Sequence, residues 1–289
     1  LTKESELVIR DAESADKSQV LRFASRTWRW GDYIPQVWDD WLNDPNGRIF
    51  VGLLDGEVVG MNHVRFLTPE YAWLEGARVN PKDKRKGVAT ALARHAIEFS
   101  SQMGARIARL AVSSENEAAK AHLKKLAFHI EARFVLMEGS SRSHPRNLTV
   151  REPKPSELDS LWSEIRSSAA YRASVGLMCR SWVWYEMNRE TLNEYVNRGG
   201  LFVASRGPER NGVAFLDAAK GENSVVEVSY IDGNLLALES LLSRSSERIR
   251  NLASRRVRTF APKYRLLLAR LMKLGLKEKG EYWVFSKMI

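Results

Sequence analysis

Apolar and polar positions alternate over Leu7-Val8-Ile9-Arg10-Asp11 and again over Leu148-Thr149-Val150-Arg151-Glu152. Alternation with period two marks a half-buried strand; each is followed by a polar stretch and then helical spacing, so each predicts a strand leading into a helix. The correspondence continues at a nearly fixed offset. Ile49-Phe50-Val51 matches Leu201-Phe202-Val203, Gly60 matches Gly212, Trp73-Leu74-Glu75 falls on Val225-Val226-Glu227, and Val79 falls on Ile231. Later, Lys125-Leu126-Ala127-Phe128 matches Lys273-Leu274-Gly275-Leu276. Each half reads as strand, one or two helices, three strands, a long helix, strand, helix, strand. That is an α+β pattern, a mixed but mostly antiparallel sheet flanked by helices, duplicated in tandem. The Gly139–Asn147 stretch, GSSRSHPRN, is the best linker, giving expected domains at 1–140 and 147–289.

Composition fits two soluble globular domains: 289 residues, 44% hydrophobic and 28% charged. Apolar runs fall short of the ~18 residues a membrane helix needs, and no signal-peptide core opens the chain, so the expectation is cytoplasmic. The lone Cys179 excludes an internal disulfide and a thiolate zinc cluster. His95, His129 and His144 lack metal-ligand spacing, and His63, on a strand, reads as core or pocket wall. No metal is expected. The net charge of +10 points to an anionic partner.

The most informative segment is Ala77 to Thr90, ARVNPKDKRKGVAT. A strand ends at Pro81, and a helix starts after Gly87 with Val88, Leu92, Ala96, Phe99 and Met103 at helical spacing. The first N–H groups of a helix lack intrahelical partners and carry the positive end of its dipole. With Lys84, Arg85 and Lys86 around it and Gly87 allowing close approach, this end is built for a phosphate-like anion. Neither GxxxxGK[ST] nor GxGxxG is present.

Lys84-Arg85-Lys86-Gly87-Val88-Ala89 resembles motif A of the GNAT N-acetyltransferases, [QR]-x-x-G-x-[GA], and Val79-Asn80-Pro81 is similar to that family's V-x-P. Asn116-Glu117-Ala118-Ala119 with Leu126-Ala127-Phe128 resembles its second signature, N-x-x-A-x-x-x-Y-x-x-x-G-F. The resemblance implies acetyl-CoA as cosubstrate, held by Ala77, Val79, Lys84, Arg85, Lys86, Gly87, Val88, Ala89, Thr90 and Asn116. It implies direct transfer of the acetyl group to an amine in a ternary complex. Lys84 departs from the usual Gln or Arg and lacks its fork geometry. Leu123 stands where many members have the Tyr that protonates the thiolate, and the adjacent His122 points about 100° away.

An amine is almost wholly protonated at neutral pH, so attack needs a base. Glu75 is the leading candidate, expected on the same strand face as Ala77 and Val79. The loop Thr27 to Pro35 is where this family lines its acceptor pocket; Trp28, Asp32 and Tyr33 there suit a cationic amine, amino acid or peptide. Trp38 and Trp41 read instead as the core face of a helix.

In the second half the place of the phosphate loop holds Asp232-Gly233-Asn234, with Glu239 following. The cations are gone, so this half is expected to keep the fold and bind no acetyl-CoA. Its arginines at 244, 248, 250, 255, 256 and 258 leave an alternative open, an RNA- or ribosome-associated module, against plain solvated surface.

Overall fold

The computed structural model describes residues 6–25, 31–140, 148–217, 225–248 and 256–289. Contacts divide the chain into two compact units, Leu1–Leu110 with Glu117–His129 and Phe285–Ile289, and Ala111–Asn116 with Ile130–Val284. No helix among the described residues is long and apolar enough to cross a membrane.

In the first unit, β1 (Leu7–Asp11) leads to α1 (Lys17–Ala24) and α2 (Ile34–Leu42). Then come β2 (Gly47–Leu54), β3 (Glu57–Thr68), β4 (Tyr71–Val79), α3 (Val88–Gln102), β5 (Ile107–Ser113) and α4 (Glu117–Lys125). The sheet order is β1-β2-β3-β4-β5, antiparallel except for the parallel β4–β5 pair. The last residues of the chain close its far side, where Ile289 N–H donates to the Arg106 carbonyl at 2.9 Å. The apolar stripe of α2 (Ile34, Trp38 and Trp41) packs with Val20 and Phe23 of α1 against Ile49, Val51 and Met61 of the sheet. Trp38 is fully buried and Trp41 nearly so, as their i, i+3 spacing requires.

The second unit contains β6 (His129–Ser140) from Ile130 on, β7 (Thr149–Arg151), α5 (Leu158–Ser167), α6 (Ala169–Ala173), β8 (Leu177–Arg180) and β9 (Val183–Glu186). There follow α7 (Arg189–Asn197), β10 (Leu201–Arg206), β11 (Glu209–Leu216), β12 (Val225–Gly233), α8 (Leu235–Arg248), β13 (Arg256–Pro262), α9 (Arg265–Lys273) and β14 (Lys277–Met288). Its sheet runs β14-β6-β13-β12-β11-β10-β7, with β12–β13 the parallel pair. Among the described residues, the hairpin β8–β9 has no counterpart in the first half. That hairpin buries Cys179 and Trp184, the latter against Phe134 and Phe260 at ring distances of 5.6 and 5.0 Å.

The duplication is visible in small devices as well as in element order. Arg10 at the end of β1 forks onto Asp16 at 2.7 and 2.8 Å, and Arg151 at the end of β7 forks onto Glu157, both bonds 2.7 Å. Each acid also accepts the backbone N–H three residues earlier, so in each half the same ion pair fixes how the chain approaches its first helix. Gly60 and Gly212 repeat for a packing reason: a Cβ would lie 2.8 Å from Val88 Cγ1 at Gly60 and 2.7 Å from Ala237 Cβ at Gly212. Bare backbone there lets α3, and likewise α8, lie directly on its sheet.

Candidate active site

The loop between β4 and α3 ends in two residues of left-handed conformation, Arg85 (φ 66°) and Gly87 (φ 83°). Gly87 is the N-cap of α3, where no side chain caps the helix, and its carbonyl accepts Ala91 N–H at 3.0 Å. The first N–H groups of α3 are thus left pointing out of the helix end. Among the described residues, nothing lies within 4 Å of a Cβ built on Gly87, so this side of the helix end is open. Lys84, Arg85 and Lys86 stand exposed around it, Lys86 bonded to Asp83 at 2.8 Å. Of the first turn, Val88 is buried against Gly60, Ala89 is exposed and Thr90 half-buried.

Strand β4 carries two irregularities beside this end. Its parallel pairing with β5 covers only Tyr71–Trp73 against Ile107–Arg109, so the edge from Leu74 to Val79 leaves that partner behind. On its other side, Glu75 pairs with His63 and Arg78 with Met61, which sets Gly76 and Ala77 opposite Asn62 alone. This is a β-bulge, with Gly76 at φ 69°. The bulge corrects an expectation. Strict alternation would put Glu75 on the face of Ala77 and Val79; the extra residue instead aligns it with Arg78, because their partners His63 and Met61 are two apart on one face. Ala77, exposed, and Val79, half-buried, remain on the unpaired edge.

Around Glu75 the register assembles a group that the sequence does not announce. Its Oε1 lies 3.1 Å from His63 Nδ1 and 3.9 Å from Arg65 Nη2; Arg65 in turn lies 3.4 Å from Asp44. His63 is fully buried and stacked on Trp41, ring centroids 4.2 Å apart and 9° from parallel. Burial pushes the His63 pKa down, against the opposing pull of Glu75, which keeps the ring neutral near pH 7. Glu75 itself is partly open to solvent, with 16% of its side chain exposed.

The acceptor-side residues are placed differently from one another. Trp28 lies outside the described residues. The Asp32 carboxylate is wholly buried and takes a two-bond fork from Arg78, 2.7 and 3.1 Å, besides Ile34 N–H at 3.0 Å. Its charge is therefore spent inside the protein rather than offered to a ligand. Tyr33 is 45% exposed, with Arg78 over its ring at 5.2 Å and Trp41 edge-on at 5.9 Å.

Residues 16–128, the segment containing the cradle and Glu75, match the family model described as "Acetyltransferase (GNAT) family". This segment is a GNAT acetyltransferase domain. It is 28% identical over 102 residues to "Probable N-acetyltransferase 16" of Homo sapiens, an alignment covering 34% of this chain and 28% of that protein. It is 35% identical over 69 residues to "Histidine N-acetyltransferase" of Xenopus tropicalis, covering 24% and 21%. The chain thus spans about a quarter of the length of these curated relatives. Among solved structures, a GCN5-related N-acetyltransferase from Sphaerobacter thermophilus shares the fold at TM-score 0.65 and 13% identity, covering 98% of this chain and 95% of that one. A tandem GNAT protein from the clavulanic acid biosynthesis pathway does so at 0.61 and 15%, covering 98% of each.

Within this GNAT fold, α4 brings His122 Nε2 to 3.2 Å from Thr90 Oγ1 on the first turn of α3. Burial and then Lys125 push the His122 pKa down. Leu123 is buried. Asn116 is half-buried in the turn before α4, its N–H on the Ser113 carbonyl at 3.0 Å.

The corresponding helix end of the second GNAT-like unit is closed. Asn234 Oδ1 caps α8 by accepting Ala237 N–H at 2.9 Å, and Arg270 donates to the Gly233 carbonyl at 2.7 Å. A side chain rather than a free anion meets the α8 donors. Glu227, the counterpart of Glu75, accepts Ser181 N–H at 3.0 Å, and burial raises its pKa. Two of the six arginines are committed to one acid: Arg256 and Arg258 each bond Glu138 at 2.7 Å. Arg244 lies over the Phe202 ring at 5.2 Å; Arg250, Arg255 and the Arg248 side chain lie outside the described residues. Among the described residues, no group of His, Cys, Asp and Glu could hold a metal ion.

Proposed function

We propose that this protein transfers the acetyl group of acetyl-CoA to an amine, with 1–140 as the working GNAT half and 147–289 as a half that has lost the cosubstrate. The observation that carries the reading is the uncapped, glycine-opened N-terminus of α3, ringed by Lys84, Arg85 and Lys86. A pyrophosphate fits there, meeting the N–H groups of Val88, Ala89 and Thr90 and the dipole's positive end. The unpaired edge of β4 at Ala77 and Val79 supplies backbone groups for the pantetheine, and Thr90 completes the contacts.

Glu75 then takes a proton from the bound ammonium, directly or through a water. The amine nitrogen attacks the thioester carbonyl, the new C–N bond forms, the C–S bond breaks and coenzyme A leaves as thiolate, which takes up, directly or through solvent, the second proton that the nitrogen sheds as it becomes an amide. Holding both substrates together and polarising the carbonyl from the β4 backbone supply most of the rate. With Asp32 committed to Arg78, the acceptor's amine is read by Glu75, Tyr33 and Trp28, and the class is a small amine, amino acid or peptide. The reaction is tested by mass spectrometry of acetylated products over a panel of histidine, other amino acids, polyamines, aminoglycosides and peptides. Acetylation that needs acetyl-CoA and drops at least 100-fold in Glu75→Gln supports the reading; full activity in that variant refutes the base.

A further inference from the structure

We infer that His63 is a positioning residue for Glu75: its neutral ring donates Nδ1–H to Glu75 Oε1 and so fixes the carboxylate with its second oxygen free for the acceptor. The inference rests on the reading of Glu75 as the base. A carboxylate accepts hydrogen bonds and does not donate them, so a contact of 3.1 Å assigns the ring proton to Nδ1. The surroundings of the other nitrogen agree with this tautomer. Among the described residues, Nε2 is buried without a hydrogen-bond partner, and it faces Gly47, where a Cβ would stand only 2.7 Å from it. A bare lone pair there is tolerable; a second N–H would be a buried donor with no acceptor. The ring therefore does not take over the proton that Glu75 removes, and its part is to aim rather than to relay.

The ring is itself held in place. Trp41 stacks on it at 4.2 Å, and Trp41 occupies the space that a side chain on Gly76 would fill, 2.6 Å from the ideal Cβ. The bulge that moves Glu75 onto this face thus also seats the ring that orients it. Arg65 does not substitute for the donor: at 3.9 Å from Glu75 it is beyond hydrogen-bond reach, and Asp44 holds it at 3.4 Å.

The test uses the full chain and three variants. His63→Asn keeps an N–H near the Nδ1 position, His63→Gln moves the amide toward Nε2, and His63→Phe keeps a flat ring without a donor. With the acceptor identified by the panel, His63→Phe and His63→Gln are expected to lose roughly 10- to 100-fold in kcat with KM for acetyl-CoA unchanged, the worth of one hydrogen bond to a charged group. His63→Asn should recover most of it, and neither loss should add to that of Glu75→Gln. Wild-type kcat in His63→Phe and His63→Gln, or equal impairment of all three variants, overturns the inference. A normal kcat in Glu75→Gln instead overturns the base reading on which it rests. Independently of turnover, imidazole 15N NMR should show His63 protonated at Nδ1 at pH 7, with that signal moving in Glu75→Gln; protonation at Nε2 refutes it.

Discussion

Replacing Gly76 by alanine probes the bulge that organises the site. Gly76 sits at φ 69°, a conformation that costs a residue with a Cβ about 1–2 kcal/mol. The new methyl would also lie 2.6 Å from Trp41 Cζ3, 3.0 Å from Trp41 Cη2 and 3.6 Å from Ile34 Cδ1. Trp41 is 4% exposed and Ile34 fully buried, so neither can swing into solvent. Overpacking of this kind adds about 1–3 kcal/mol, for a total near 2–5 kcal/mol. Gly87→Ala is the internal control: φ is 83°, but no described residue lies within 4 Å, so only the conformational cost of about 1–2 kcal/mol applies. Urea unfolding followed by tryptophan fluorescence measures both. Gly76→Ala should be the less stable by about 1–3 kcal/mol; equal losses would show that Trp41 does not fill the space behind the bulge.

Asp32→Asn removes one partner of a buried fork and leaves Arg78 uncompensated. Unfolding should show a loss of about 3 kcal/mol or more, while Arg78→Met in the same background should recover part of it. A loss below about 0.5 kcal/mol would place this pair in effective contact with solvent. Burial lowers the His63 pKa in the fold, so below about pH 6.5 the unfolded chain binds a proton that the native ring refuses. Stability should be full above that pH and fall as the pH drops through 6.5 toward the depressed folded value. His122, also lowered by burial, adds to the same slope. His63→Asn should lose less stability than wild type between pH 7.5 and 5.5; an unchanged slope would contradict a buried neutral ring.

The duplicated architecture is legible from the alternation at Leu7–Asp11 and Leu148–Glu152 and from the fixed offset that follows, because strands and helix ends are local patterns. The cradle is legible for the same reason: Lys84 to Thr90 is one contiguous stretch whose chemistry follows from a helix beginning after Gly87. The group at Glu75 is not, because it depends on register. The two-residue turn at Pro69-Glu70 pairs Thr68 with Tyr71, a register that would carry Val64 opposite Glu75. A shift between Phe66 and Thr68 brings His63 there instead, and a second shift at Gly76 turns Glu75 onto the face of Arg78. Two irregularities in one hairpin are invisible to alternation, which assumes none. Asp32 misleads for a related reason: a loop acid beside aromatics looks available to a cation until the fold brings Arg78, 46 residues away, into its fork. The hairpin β8–β9 is hidden because its two central residues, Ser181 (φ 52°) and Trp182 (φ 67°), are not the Asn-Gly or Gly pairs that announce such turns.

On the proposed reading, one helix end of the duplicated fold binds coenzyme A and its copy has lost the means. Isothermal titration of the full chain with acetyl-CoA tests it most directly, because the stoichiometry counts the working cradles. One site per chain is expected, abolished by Gly87→Glu, which would place a carboxylate in front of the α3 donors, and unaffected by Asn234→Ala. Two sites per chain, or one that survives Gly87→Glu, would contradict it.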